Sequence, residues 1–341
     1  MRQIDLNLDV PSPLALAGQA HAAVTVILPD AAALPGRPVV CFGFPGGGYG
    51  RRYYTFDMPG ASSGGEAGWH ARRGWIFVAC DHLGVGDSWI PPTDTLDYES
   101  IAETNRVVVG SVLERLAAGG LADGFPAITD PVTIGLGQSM GGCFTIVLQA
   151  HHRVFDAVGI LGYSAIHTSV PSRPGQPIVP MPWVTRRSDM SDPVILNPED
   201  LAAPVPAEPG DGAANPWSWA FHYDDEPAEV VAADMRPADP LPAWKSATIP
   251  ACALKMVAPG TVSTEAAAIR TPVLIAAGER DVMADPRSEP RAYISSPDIT
   301  VVVVPRMAHM HNFASTREVL WSRIQSWGDA VAAAVATPGG A

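Results

Sequence analysis

Short apolar, β-branched runs alternating with helical stretches set the pattern of this chain. The runs occupy residues 23–28, 39–44, 75–80, 132–136, 157–161, 273–277 and 299–304. Each is almost continuously hydrophobic, as strands covered on both faces are. Their alternation with helices predicts an α/β fold with a mostly parallel central sheet flanked by helices. Residues 3–10 instead alternate apolar and polar positions, which predicts an edge strand. Residues 98–116 read as a helix stopped at Gly119-Gly120, and residues 142–151 as a helix following a tight turn. In the last helix Leu320, Ile324, Trp327 and Val331 share one face, and Ser315 and Glu318 stand at capping-box spacing. The tail, 337–341, is expected to fray.

The alternation breaks from about His167 to Ile269. This stretch is rich in proline and carries Trp183, Trp217, Trp219, Phe221, Tyr223 and Trp244. It is too long to be a bare loop in a compact domain. The expected organisation is a core of residues 1–167 and 269–341, interrupted by a cap insertion at 168–268.

Composition changes this picture little. Of 341 residues, 47% are hydrophobic and 17% charged, which is globular. No apolar run reaches the roughly 18–20 residues that cross a bilayer. Met1–Leu6 mixes charged and apolar positions instead of building a secretory segment, so a soluble, cytoplasmic protein is expected. A net charge of −13 disfavours nucleic acid and anionic membranes and leaves small neutral molecules as partners, with homo-oligomers open. Cys41, Cys80, Cys143 and Cys252 lie far apart, and their spacing implies neither a disulfide nor a metal site.

The strongest chemical signal follows the run 132–136. There Gly137-Gln138-Ser139-Met140-Gly141 places G-x-S-x-G between a strand and a helix. The serine would sit on a sharp turn at a helix N-terminus, where partial positive charge favours a developing anion. With the insertion, a later strand ending in an acid and a last strand ending in histidine, the chain resembles the α/β-hydrolase superfamily over roughly residues 20–335. Asp81-His82-Leu83-Gly84-Val85-Gly86-Asp87-Ser88 resembles that family's D-x-x-G-x-G-x-S turn, whose role is structural.

The resemblance implies Ser139 as nucleophile, then an acid, then a histidine as base. Gly278-Glu279-Arg280-Asp281 resembles the family's G-x-x-D loop and nominates Asp281, with Glu279 and Asp285 as fallback acids. His309 and His311 both follow the final strand; His309 is favoured and His311 stays open. The oxyanion hole is expected from the N–H of Met140 and from Gly47, with Gly46 and Gly48 as alternatives. Their loop, Pro45-Gly46-Gly47-Gly48, resembles the H-G-G-G loop of some esterases with proline in place of histidine. Arg51-Arg52 either attracts an anion or pairs with surface carboxylates.

The function these readings imply is cleavage of a carboxylic ester or lactone through an acyl-enzyme, without metal or organic cofactor. Serine at the elbow argues against haloalkane dehalogenases and epoxide hydrolases, which use aspartate there. Amidase, peptidase, thioesterase and acyltransferase chemistry share the same three residues and stay open, as does a non-enzymatic binder. Met181, Trp183, Met190, Trp217, Trp219, Met235, Trp244 and Met256 in the insertion imply an apolar pocket, with some of them forming the cap's own core.

Overall fold

A computed structural model of the chain describes residues 1–11, 20–59, 63–91, 95–175, 216–235 and 239–336. Eight strands form one sheet: β1 (Arg2–Val10), β2 (Ala20–Leu28), β3 (Val39–Phe44), β4 (Ile76–Cys80), β5 (Val132–Gln138), β6 (Ala157–Leu161), β7 (Val273–Gly278) and β8 (Ile299–Val304). Their order is β1-β2-β4-β3-β5-β6-β7-β8. The β1–β2 and β2–β4 pairs are antiparallel and every later pair is parallel.

The helices are α1 (Gly65–Ala71), α2 (Tyr98–Ala117), α3 (Met140–His152), α4 (Pro216–Phe221), α5 (Ala228–Met235), α6 (Ser263–Ala268) and α7 (Arg317–Ala336). Alternate residues of the central strands enter two cores, because successive side chains of a strand point to opposite faces. Val40, Phe42 and Phe44 join the core under α2 and α3, while Val39 and Cys41 join the one under α1 and α7. All four cysteines are buried and in no disulfide among the described residues. Among the described residues no helix is long and apolar enough to cross a membrane.

Predicted strands and helices lie where the pattern put them, with ends differing by up to three residues. β1 is an edge strand whose Leu8 and Val10 are buried while Asp5, Asn7 and Asp9 face out. The helix from Tyr98 ends as expected: Gly119 takes φ +68°, and the Gly120 N–H reaches back to the Arg115 carbonyl. Its start carries a signal the sequence reading passed over, a capping box between Asp97 and Ser100.

Two expectations fail. β8 is not covered on both faces; as the last strand it has no neighbour beyond it, and Val303 is 40% exposed. The capping box at Ser315 and Glu318 does not form either. The Ser315 hydroxyl donates to Asp225, α7 starts only at Arg317, and the Thr316 hydroxyl donates to the Pro305 carbonyl. The buried face of α7 is as predicted, with Leu320, Ile324, Trp327 and Val331 all inside.

The stretch 168–268 packs in three ways, one of them through Val230 and Trp244 into the core under α1 and α7. Its later part, with Ile249, Cys252, Val262 and Ala266, enters the core beneath α2 and α3. The earlier described part builds a small separate cluster of Val170, Ala220 and Val282, joined by Trp217 and Phe221.

One glycine in α7 shows how tightly the second core is filled. A Cβ at Gly328 would lie 2.5 Å from the Trp75 ring and 2.8 Å from Ile134 Cδ1. Trp75 cannot easily swing away, since its Nε1–H donates to Asp329 at 2.8 Å and its ring stacks on His70. Gly328→Ala should therefore destabilise the protein despite a helix-propensity gain of about 1 kcal/mol, because overpacking costs about 1–3 kcal/mol. A rise in the denaturant midpoint of this variant would contradict the packing argument.

Candidate active site

Strand order reverses between β3 and β5: the chain moves outward from β3 to β4 on one side and from β5 to β6 on the other. Loops leaving such a switch point diverge and open a crevice at the carboxyl ends of the strands. The register brings those ends level. Phe44 lies beside Gly137, Gln138 beside Leu161, and Gly278 beside Val304.

Ser139 occupies the turn between β5 and α3 with φ 53° and ψ −117°, a conformation that costs a non-glycine residue energy. Its N–H donates to the Leu161 carbonyl at 2.8 Å and its carbonyl accepts from Cys143, so the strained residue is held from both sides. The flanking glycines are sterically required. A Cβ on Gly137 would lie 2.3 Å from the Gly141 oxygen, and one on Gly141 would lie 2.0 Å from the Phe44 oxygen.

From Ser139 a line of hydrogen bonds runs away through two loops. Ser139 Oγ is 3.0 Å from His309 Nε2, and His309 Nδ1 is 2.7 Å from Asp281 Oδ1. All three residues are buried. Gly162, at φ +56°, passes beneath the His309–Asp281 bond; a Cβ there would come within 3.1 Å of Nδ1. The Gln138 amide donates to the His309 carbonyl at 3.0 Å, so the residue before the serine also fixes the histidine loop.

His311, the alternative base, is in the same network but on the far side of the acid. Its Nε2 lies 2.7 Å from Asp281 Oδ2, and its Nδ1 finds no partner among the described residues. Asp281 also accepts the N–H groups of Gly278 and Val282, at 2.9 and 2.7 Å. Burial by itself would raise the Asp281 pKa, yet the His311 and His309 imidazoles beside it hold the carboxyl well below its usual range. The fallback acids are elsewhere: Glu279 is taken up by the Tyr223 hydroxyl and the Arg306 N–H, and Asp285 is exposed.

The glycine turn after β3 lies against the serine. A Cβ on Gly46 would be 2.4 Å from Gln138 Oε1 and 3.1 Å from Ser139 Cβ, so even a methyl group there would have to displace the Gln138 amide that holds the His309 carbonyl. At Gly47 a Cβ would make ordinary contacts with Ile249 and Met140, so steric need alone does not explain that glycine. The N–H groups of Met140, at the first position of α3, and of Gly46 and Gly47 donate to no acceptor among the described residues.

Arg51 is not available to an anionic ligand. Its guanidinium pairs with Asp81 at 2.5 Å and Asp87 at 2.8 Å, and its N–H donates to Asp81. The Asp81–Ser88 turn is thus a structural anchor, as its motif implied. Gly86 there takes φ +58°, with Asp81 so close that a Cβ would strike its carboxylate.

The stretch between β6 and β7 reaches the site through α4. The N–H groups of His309 and Met310 donate to the carbonyls of Ala220 and Phe221, and the Phe221 ring lies 4.9 Å from that of His309. Trp219 and Tyr223 stack on the Arg280 guanidinium next to Asp281. Trp244 packs between Phe56 and Phe313 in the core, and Met256 borders the other core. Met181, Trp183 and Met190 lie outside the described residues. The sequence pointed to these aromatic residues, but not to the bonds from the His309 and Met310 N–H groups, because bonds to backbone carbonyls leave no residue-type signature.

No protein-family model matches the chain, and no curated protein matches it in sequence. Solved structures do match. A thermophilic esterase from Thermogutta terrifontis is 15% identical over 96% of this chain and 99% of its own, with a TM-score of 0.60. A proline iminopeptidase from Mycobacterium smegmatis is 15% identical over 97% and 100%, at 0.59. A peroxisomal α/β-hydrolase from Saccharomyces cerevisiae is 11% identical over 100% and 90%, at 0.58. With a switch point that carries its serine turn at the end of β5 and neighbours that span nearly its whole length, the chain has the α/β-hydrolase fold.

Proposed function

We propose that the protein is a serine hydrolase that cleaves a carboxylic ester or lactone through an acyl-enzyme. The observation that carries this reading is the unbroken hydrogen-bond line from Ser139 Oγ through His309 to Asp281, starting at a strained serine on a helix N-terminus. Ser139 Oγ attacks the carbonyl carbon while His309 Nε2 takes its proton. Asp281 accepts from Nδ1–H and stabilises the resulting imidazolium. The N–H groups of Met140 and Gly47 donate to the oxyanion. His309 then returns the proton to the departing alcohol, leaving an acyl-serine. Water attacks that carbonyl, again losing its proton to His309, and the acid departs as Ser139 Oγ regains a proton.

The fold serves both an esterase and an iminopeptidase, so the choice of ester rests on the surroundings. Phe221 adjoins His309, and Ile249 and Met140 adjoin Gly47. Apolar neighbours suit an uncharged ester or lactone better than the charged terminus of a peptide. In this reading the aromatic part of the insertion contributes an apolar acyl or alcohol pocket.

His311 has a supporting part. With two imidazoles and two backbone N–H groups donating, the Asp281 carboxylate has all its acceptor positions filled and a fixed orientation.

Ser139→Ala should keep the fold and lose turnover by roughly 10⁴-fold or more. A fluorophosphonate probe should label wild type at Ser139 and leave the variant unlabelled; near-normal turnover of a folded Ser139→Ala enzyme would remove the serine from the mechanism.

The two histidines should separate. His309→Ala should be as damaging as the serine change, while His311→Ala should cost about tenfold. A dead His311→Ala enzyme beside an active His309→Ala enzyme would transfer the base to His311.

Across esters of increasing chain length, each buried methylene should add about 0.8 kcal/mol, roughly fourfold in kcat/KM, until the pocket is full. A panel of esters, lactones and amides at one pH checks this. Steady preference for acetate or for a charged peptide would overturn the apolar pocket and leave the serine chemistry standing.

A further inference from the structure

Behind the glycine turn lies a buried polar cluster that the reaction as written does not use. Tyr49 follows the turn directly, and its N–H closes it by donating to the Gly46 carbonyl. The Tyr49 hydroxyl, 3% exposed as a residue, donates to Asp234 Oδ2 at 2.5 Å. Asp234 comes from α5 in the insertion and is itself buried. The same carboxylate accepts the Trp244 indole N–H at 2.8 Å and faces Lys245 Nζ at 3.4 Å. Lys245 sits over the Tyr49 ring and pairs with Tyr49 as an isolated β-bridge, flanked by Ser246 N–H to Gly48 carbonyl and Gly50 N–H to Trp244 carbonyl.

The cluster continues to the other half of the site. His222 Nε2 lies 2.9 Å from Asp234 Oδ2, and its Nδ1 lies 2.6 Å from Glu226. His222 adjoins Ala220 and Phe221, whose carbonyls hold the His309 and Met310 N–H groups, and its own carbonyl accepts from Arg280, next to Asp281. One chain of contacts therefore runs from the glycine turn, through Tyr49, Asp234 and His222, to the loops carrying the base and its acid.

We infer that Asp234 is a positioning residue: acting through Tyr49 and Lys245, it holds the Gly46–Gly48 turn where its N–H groups meet the oxyanion, and His222 locks that anchor to the segment holding His309. The inference rests on the serine-hydrolase reading. A turn of three glycines has little conformational preference of its own, since glycine loses more freedom on ordering than any other residue. Its N–H groups must nonetheless stay fixed to tenths of an ångström for oxyanion stabilisation. The Tyr49 bond supplies the rigidity that the glycines lack.

The charges agree with a stable anchor. Asp234 and Glu226 face His222, and Lys245 faces Asp234. Burial would lower the His222 pKa, but the hydrogen bonds it donates to Asp234 and Glu226 prevail and raise it to about 9. Burial would raise the Asp234 pKa, but Lys245, His222 and Tyr49 bring it down to about 2. A histidine whose folded value exceeds the ~6.5 of the unfolded chain gives stability that is complete below that pH. That stability is lost as pH rises through about 9.

The test uses the full-length protein and a fluorophosphonate probe, which reports on Ser139 without knowledge of the substrate. At saturating probe, Tyr49→Phe and Asp234→Asn should each slow covalent labelling about tenfold per titrated site, with half-saturation changed less than twofold. A merely structural role would lower the fraction of sites that can be titrated and leave their rate constant alone. Tyr49→Phe deletes a single oxygen, so the test stands even where Asp234→Asn fails to fold. Denaturation midpoints should fall more steeply between pH 6.5 and 9.5 in wild type than in His222→Gln; equal slopes would take His222 out of the anchor. If wild type labels and both other variants react at its rate, the anchor falls alone. If wild type itself takes no label, the hydrolase reading falls and the anchor with it.

Discussion

The carbonyl oxygen of Phe44 would be 2.0 Å from a Cβ at Gly141, so the end of β3 and the first turn of α3 are in backbone contact. The site depends on this approach. Because β3 and β5 are neighbours that lead in opposite directions, their loops are free to part, and the serine turn fills the gap. Gly137 and Gly141 let the turn be sharp enough, and the bonds of Ser139 to Leu161 and Cys143 hold it there. Residues Gly46 and Ser139, 93 positions apart in sequence (139 − 46), thereby come into contact. A larger residue at Gly141 would push the end of β3 away from the serine turn, and one at Gly137 would open the serine turn itself.

A second constraint is electrostatic. Asp281 is buried, and a buried carboxylate keeps its charge only when hydrogen bonds replace its lost water. Here two loop N–H groups and two imidazoles do so. The second imidazole changes the character of the acid: an anion shared between His309 and His311 is a weaker base than one serving a single histidine. It therefore stays ionised and hydrogen-bonded, as the role proposed for His309 requires.

Much of this was legible in the sequence because its physical causes are local. Strands buried on both faces leave continuous apolar runs, and G-x-S-x-G between a strand and a helix has few other uses. Ser139 was read from that turn, and Asp281 and His309 from the family resemblance it carries; the fold brings His309 within hydrogen-bond reach of both other residues. The exposed β8 edge was not legible, since four consecutive valines read the same at the rim of a sheet as in its centre. Nor was the choice between Ser315 and Thr316 at the start of α7, where Asp225, 90 residues upstream, captures the Ser315 hydroxyl. His311 was legible as a rival to His309 but not as its partner, because spacing along the chain does not say which side of a carboxylate a histidine will occupy.

The stretch between β6 and β7 was read from its aromatic residues as a cover; in the proposed anchor its polar residues matter as much. Asp234, Glu226, His222 and Lys245 together carry no net charge with His222 protonated, so the cluster is buried as a balanced set. Such sets are often no more stabilising than apolar residues of the same volume, but removing one member leaves a charge buried without its partner. Their value is then one of geometry: an apolar contact between insertion and core would tolerate sliding, whereas Asp234 meets the Tyr49 hydroxyl, the Trp244 N–H and His222 in only one arrangement. A glycine turn without side chains to fix it needs a support of that kind, and the insertion, already touching His309 through α4, is the element that can align both halves of the site at once.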